Sequence, residues 1–106
     1  MIDVKFFKSD YELVGFEVSG HSDYSESGSD IVCAAVSSAA FMTANTLTEI
    51  LNVKVDLQYS DDGLIRLMLC TADAKACKVV MQGFKLHIVA LQEQYKNHIK
   101  VDILEV

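Results

Sequence analysis

Apolar residues recur at every second position where the chain begins. Ile2, Val4 and Phe6 alternate with Asp3, Lys5 and Phe7, the period of a β-strand. Ser9-Asp10 carries turn chemistry. Val14, Phe16 and Val18 then alternate with Gly15 and Glu17, predicting a second strand over 12–18 that pairs with the first as a hairpin. The alternation stops at Gly20-His21. The stretch that follows, Ser22-Asp23-Tyr24-Ser25-Glu26-Ser27-Gly28-Ser29, holds four serines and a glycine. It has no period and reads as a polar loop.

Asp30 opens a helical stretch. Aspartate is a favoured N-cap, and Val32, Val36, Ala39, Thr43, Leu47 and Ile50 follow at steps of three and four. No charge occurs between Asp30 and Glu49, so no face of this helix is marked for water. A sheet can cover one side; another helix or a second subunit must cover the rest.

Val53, Val55, Leu57 and Tyr59 alternate with Lys54, Asp56 and Gln58 in a third, amphipathic strand. Ser60-Asp61-Asp62-Gly63 predicts a hairpin turn into a fourth strand carried by Ile65, Leu67 and Leu69. Thr71 is the expected cap of a second helix, with Asp73 in its first turn. Cys77, Val80, Phe84, Ile88, Leu91 and Tyr95 form its core stripe, opposite a polar one that includes Lys78, Lys85 and Lys96. His87 and His98 fall within this helix. Ile99, Val101 and Ile103 close the chain as a fifth strand. The order β-β-α-β-β-α-β, with antiparallel hairpins, predicts an α+β two-layer sandwich: a mostly antiparallel sheet with both helices on one face.

Composition narrows the reading. The 106 residues form a single domain over 1–106, since two cores would each be too small. An apolar fraction of 51% excludes a disordered chain. Nine basic against fifteen acidic residues give −6, and no Lys/Arg cluster occurs, which excludes a grip on nucleic acid through phosphates. Charges interrupt residues 1–20, so no secretory h-region is expected there. The uncharged run from Ile31 to Thr48 approaches membrane-spanning length, but its serines and threonines favour a buried helix over a membrane span. With no export signal, three cysteines are expected as reduced thiols in the cytoplasm. They show no zinc-ligand spacing.

Cys33 is the candidate nucleophile. With Asp30 as N-cap it is the third helical residue, near the partial positive charge of unsatisfied N–H groups, which favours a thiolate. The bland alternative is a small core hydrophobe. His21 is the candidate base, twelve residues earlier at the end of the second strand. Its alternative is a surface histidine. Cys77 lies on a core stripe, and Cys70 at a strand end is expected to pack. Asp30 either caps the helix or orients His21 as the third member of a triad. An anion beside a thiolate opposes its formation, which favours capping. Gly20 and Gly28 permit unusual turns on both sides of the loop.

Gly20-His21, followed by Gly28-Ser29-Asp30-Ile31-Val32-Cys33-Ala34-Ala35-Val36-Ser37, resembles the ribosomal-processing cysteine protease (Prp) family of Firmicutes and relatives. The likeness extends over nearly the whole chain. Ser22 stands where many members have alanine. The resemblance implies a protease that removes an N-terminal extension from the twenty-seventh protein of the large ribosomal subunit, cutting after a short apolar motif containing phenylalanines. It implies Cys33 as nucleophile, His21 as base and then acid, Asp30 and Gly20 in support, residues 22–29 as a loop that meets substrate, and a homodimer. An acidic enzyme also suits a basic substrate.

The expected reaction is attack by the Cys33 thiolate on the scissile carbonyl, with the oxyanion held by backbone N–H groups of the first helical turn, that of Cys33 included. No metal, cofactor or membrane is expected. The competing reading is a non-enzymatic ribosome-associated binding module with a structural Cys33.

Overall fold

A computed structural model describes residues 1–20 and 27–106, with backbone alone for 27–30. The elements are β1 (Ile2–Ser9), β2 (Glu12–Ser19), α1 (Ser27–Asn45), β3 (Val55–Tyr59), β4 (Ile65–Leu69), α2 (Lys78–Gln94) and β5 (Ile99–Glu105). A π-helical turn, Thr46–Ile50, extends α1, and a 3₁₀ turn, Thr71–Asp73, precedes α2. The sheet order is β3-β4-β2-β1-β5. Every neighbouring pair is antiparallel except β1 and β5, which run parallel. Both helices cover one face, as the element order predicts.

The core lies between that face and the helices. Phe6, Phe16 and Leu67 meet Val32 and Val36 of α1, Leu47 of the π turn, and Met81, Phe84 and Ile88 of α2. The Phe84 ring stands 5.6 Å from Phe6 and 4.6 Å from Phe16, tilted against both, an arrangement that suits the aromatic quadrupoles. By length and composition Ile31–Ile50 could cross a membrane; here its buried stripe packs on the sheet.

Strict alternation fails in β2. Phe7 pairs with Gly15 and Lys8 with Leu13, so Val14 is the extra residue of a bulge. The slip turns Leu13 into the main core and Val14 to the outer face, where Val14 and Phe7 form a second small cluster with Ala74. The Arg66 guanidinium lies 5.1 Å over the Phe7 ring. The same outer face carries an ion ladder: Glu17 is 3.7 Å from Lys5 and 3.3 Å from Arg66.

Other expectations change at element ends. Thr71 does not cap α2, because the 3₁₀ turn intervenes and α2 begins only after Cys77. His98 lies outside the helix, in the turn before β5, where its carbonyl accepts the Ile2 N–H at 2.9 Å. Ile50 is exposed, since the wider π turn rotates it off the core stripe. β3 lacks a buried face: only Val55 packs against the core, and Leu57 and Tyr59 stay exposed although the Phe41 ring of α1 lies 6.4 Å from that of Tyr59.

Phe84 joins α2 to two strands at once, so Phe84→Ala is expected to cost about 3–5 kcal/mol of stability. Urea denaturation followed by far-UV circular dichroism measures it.

Candidate active site

The strand order brings the loop end of β2, the start of β1 and the β3–β4 turn to one end of the sheet. Helix α1 starts over that end. Cys33, half-buried, lines a cavity of about 60 Å³ there together with Ile2, Val18, Gly20, Val36, Ser37 and Gly63. Its sequence neighbour Val32 and the residue one turn on, Val36, are fully buried, so the core stripe of α1 aims Cys33 at the flank.

Gly20 is the residue before His21, and its backbone is held in a conformation few other residues accept. Its φ is +82°, and a Cβ added there would stand 2.6 Å from the Met1 carbonyl oxygen. The backbone leading into His21 thus meets Cys33 across one small cavity. Opposite, Gly63 (φ +94°) closes the β3–β4 turn, with its N–H donating to the Ser60 carbonyl at 3.1 Å. His21 itself lies outside the described residues, with Ser22, Asp23, Tyr24, Ser25 and Glu26 of the expected loop.

Helix α1 begins earlier than the pattern predicts. Ser27, Gly28 and Ser29, expected in the loop, form with Asp30 its first four residues. The apolar period that marks the helix starts only at Ile31, because the first turn of a helix needs no apolar stripe, and small polar residues suit its unsatisfied N–H groups. Asp30 is therefore not the N-cap; it is the fourth helical residue. Cys33 becomes the seventh. There its N–H belongs to the i→i−4 ladder and is not free for an oxyanion. The terminal field also fades within the first turn, so the electrostatic argument that favoured Cys33 from spacing does not carry over. Its case rests on exposure to the cavity and on the approach of Gly20.

The remaining thiols separate cleanly. Cys77 is buried as its stripe predicts, and burial, with Asp73 nearby, pushes its thiol up from the ordinary 9.0. Cys70 is exposed rather than packed, since β4 ends before it and the 3₁₀ turn carries it outward. Among the described residues no three metal-ligating side chains gather. Two members of the cavity wall had weak or no sequence signal. Ser37 could have been found from its i+4 spacing to Cys33. Gly63 meets α1 only through the strand order, which local pattern does not reveal.

The model of a family described as cysteine protease Prp matches residues 1–100. The ribosomal processing cysteine protease Prp of Staphylococcus aureus is 24% identical over 86 residues, which span 80% of this chain and 81% of that protein. Its namesake in Bacillus subtilis is 23% identical over 97 residues, spanning 87% of each. Among solved structures, SMU.848 from Streptococcus mutans superposes with a TM-score of 0.89 at 28% identity, covering 100% of this chain and 96% of that one. The S. aureus Prp protease in complex with a substrate peptide superposes equally well, TM-score 0.89 at 23% identity, over 98% and 100% of the two chains.

The thiol environments predict a labelling order. Iodoacetamide at neutral pH should modify Cys33 and Cys70 in the folded protein and leave Cys77 untouched until urea unfolds it. Above pH 9.0 the unfolded chain releases the Cys77 proton while the fold still holds it. The stabilisation from Cys77 is therefore complete below 9.0 and declines as pH rises through and beyond that value. Cys77→Ala should remove that part of the alkaline loss of stability, read from urea midpoints on both sides of this pH.

Proposed function

We propose that this chain, which belongs to the cysteine protease Prp family, removes the N-terminal extension of the twenty-seventh protein of the large ribosomal subunit. Family membership makes it a cysteine protease and sets aside the binding-module alternative. Its curated relatives are named ribosomal processing proteases, and the net charge of −6 suits a basic ribosomal substrate.

In this reading Cys33 is the nucleophile and His21 the base. The observation that carries it is the shared cavity: Gly20, immediately before His21, and Cys33 line the same wall. His21 takes the thiol proton, the sulfur attacks the scissile carbonyl, and the imidazolium returns its proton to the leaving amine. Asp30, one turn before Cys33 in α1, and Gly20 act in support. The residues from Ser22 to Ser29 meet the substrate. Reaction takes place in the cytoplasm, needs no cofactor, and engages neither nucleic acid nor membrane.

The active species is a homodimer. A groove of about 800 Å³ between α1 and α2 is lined by residues such as Ala39, Met42, Thr46, Val80 and Phe84, and no Asp, Glu, Lys or Arg borders it among the described residues. In a chain of net charge −6, an uncharged apolar face is where a second copy can approach without repulsion.

Incubation with the precursor ribosomal protein, read by mass spectrometry, tests the reaction. The wild type should release the extension in a single cut. Cys33→Ala and His21→Ala should each abolish cutting with melting temperatures near the wild-type value, and the double variant should be no worse than either, because the two act as a unit. Cutting by Cys33→Ala at a comparable rate would sink the assignment.

Sedimentation tests the dimer. The wild type should run as a dimer, and Met42→Glu, which sets like charges on the uncharged face, should run as a monomer.

A further inference from the structure

We propose that Ser37 is the oxyanion donor of this protease. The inference rests on the reading of Cys33 as nucleophile and adds a catalytic residue to it. Four observations carry it. First, the donor expected from the helix start is missing: at the seventh position of α1 the Cys33 N–H is committed to the helical ladder. Second, among the described residues around the cavity beside Cys33, the side chains of Ile2, Val18 and Val36 can donate no hydrogen bond, Gly20 and Gly63 have none, and Ser37 is the one that carries a hydroxyl.

Third, the backbone donors of Ile2, Val18, Val36, Ser37 and Gly63 on the same wall are engaged, which leaves that of Gly20 as the backbone competitor among the described residues. The Ile2 N–H donates to the His98 carbonyl at 2.9 Å and that of Gly63 to the Ser60 carbonyl at 3.1 Å. Val18 lies in the β2 ladder, and Val36 and Ser37 have helical backbone. Fourth, the Ser37 hydroxyl has no hydrogen-bond partner among the described residues. The threonines of the same helical run behave otherwise: Thr43 donates to the Ala39 carbonyl at 2.8 Å and Thr46 to that of Met42 at 2.7 Å. Ser37 is one turn beyond Cys33, on the same flank of α1. A hydroxyl without a partner among the described residues can turn toward a ligand without breaking a bond to any of them.

The step is an ordinary acyl transfer. The Cys33 thiolate forms a bond to the carbonyl carbon, and the carbonyl π pair moves onto oxygen. The Ser37 O–H donates a hydrogen bond to that oxygen without transferring its proton. As the pair returns, the C–N bond breaks and the nitrogen takes the proton held by His21, leaving a thioester. Water then adds to the thioester carbon while His21 takes one of its protons. A second oxyanion, held again by Ser37, collapses with loss of the Cys33 thiolate to give the carboxylic acid. The apolar lining from Ile2, Val18 and Val36 keeps the dielectric low, where one donor stabilises developing charge most.

Ser37→Ala tests the role. It should lower kcat for precursor cutting by about 100-fold or more with little change in KM, the loss typical of one removed oxyanion donor. Iodoacetamide alkylation of Cys33 passes through no oxyanion, so its rate should stay within twofold of wild type, as should the urea midpoint. A peptide aldehyde ending at the cleavage residue forms a hemithioacetal oxyanion with Cys33, and its affinity should fall roughly in parallel with kcat. A fall in kcat of less than threefold would assign the donor to the backbone, the Gly20 N–H foremost, and overturn the proposal. So would a parallel loss of alkylation or stability, which would make Ser37 a structural residue. Cys33→Ala run alongside separates the two readings: if it cuts, the nucleophile is wrong; if it is dead while Ser37→Ala is fully active, only the donor is wrong.

Discussion

Everything around Cys33 depends on how α1 is seated. Val32 and Val36 are buried against the sheet, and Leu47 anchors the far end of the same helical run. Burying each of these side chains is worth roughly 1.5–3 kcal/mol, so rotation of α1 about its axis is opposed by several kcal/mol. Successive residues advance about 100° around a helix. Cys33, next after Val32, is therefore turned to the flank, and Ser37, next after Val36, repeats that displacement one turn on. The two polar positions are set by the two apolar ones. The second fixed point is Gly20, whose close approach to the Met1 carbonyl ties the end of β2 to the start of β1. Helix stripe and strand exit thus converge beside Cys33, with Val36 and Gly20 serving both the fold and the cavity wall.

Much of this was legible because periodicity reports local burial. The five strands, both helices, their order and the core stripe of α2 follow from spacing alone. The failures share a cause: a pattern of apolar residues is silent where a residue's partner is set by tertiary structure. The bulge that sends Val14 and Leu13 to opposite faces depends on the pairing of β1 with β2. β3 reads as amphipathic, yet at this edge of the sheet only Val55 packs against the core. The start of α1 carries no apolar residue, so the helix was expected to begin at Asp30 and Cys33 to lie in its first turn. That displacement changed the chemistry most. Cys33 is singled out by residue type and context, whereas Ser37 and Gly63 join the cavity wall only through the three-dimensional neighbourhood.

Cys33 as the proposed nucleophile, in the second turn of α1, poses a different electrostatic problem from a thiol at the first turn. Orphan N–H groups serve anions at the helix end, and their field is largely gone one turn in. Negative charge on the sulfur and on the carbonyl oxygen must then be met by side chains. The described wall around Cys33 has no cation, and charges gather elsewhere: Glu17 pairs with both Lys5 and Arg66 on the opposite face of the sheet. An imidazole and a hydroxyl are the groups that can meet this demand without placing a permanent charge in an apolar cleft. Desolvation strengthens a hydrogen bond to a transient anion while leaving a neutral resting site inexpensive to bury. The same reasoning explains why the helical face can stay uncharged over its whole length: no permanent charge has to be held beside the sulfur, so nothing in the proposed chemistry conflicts with an apolar surface on the same helix.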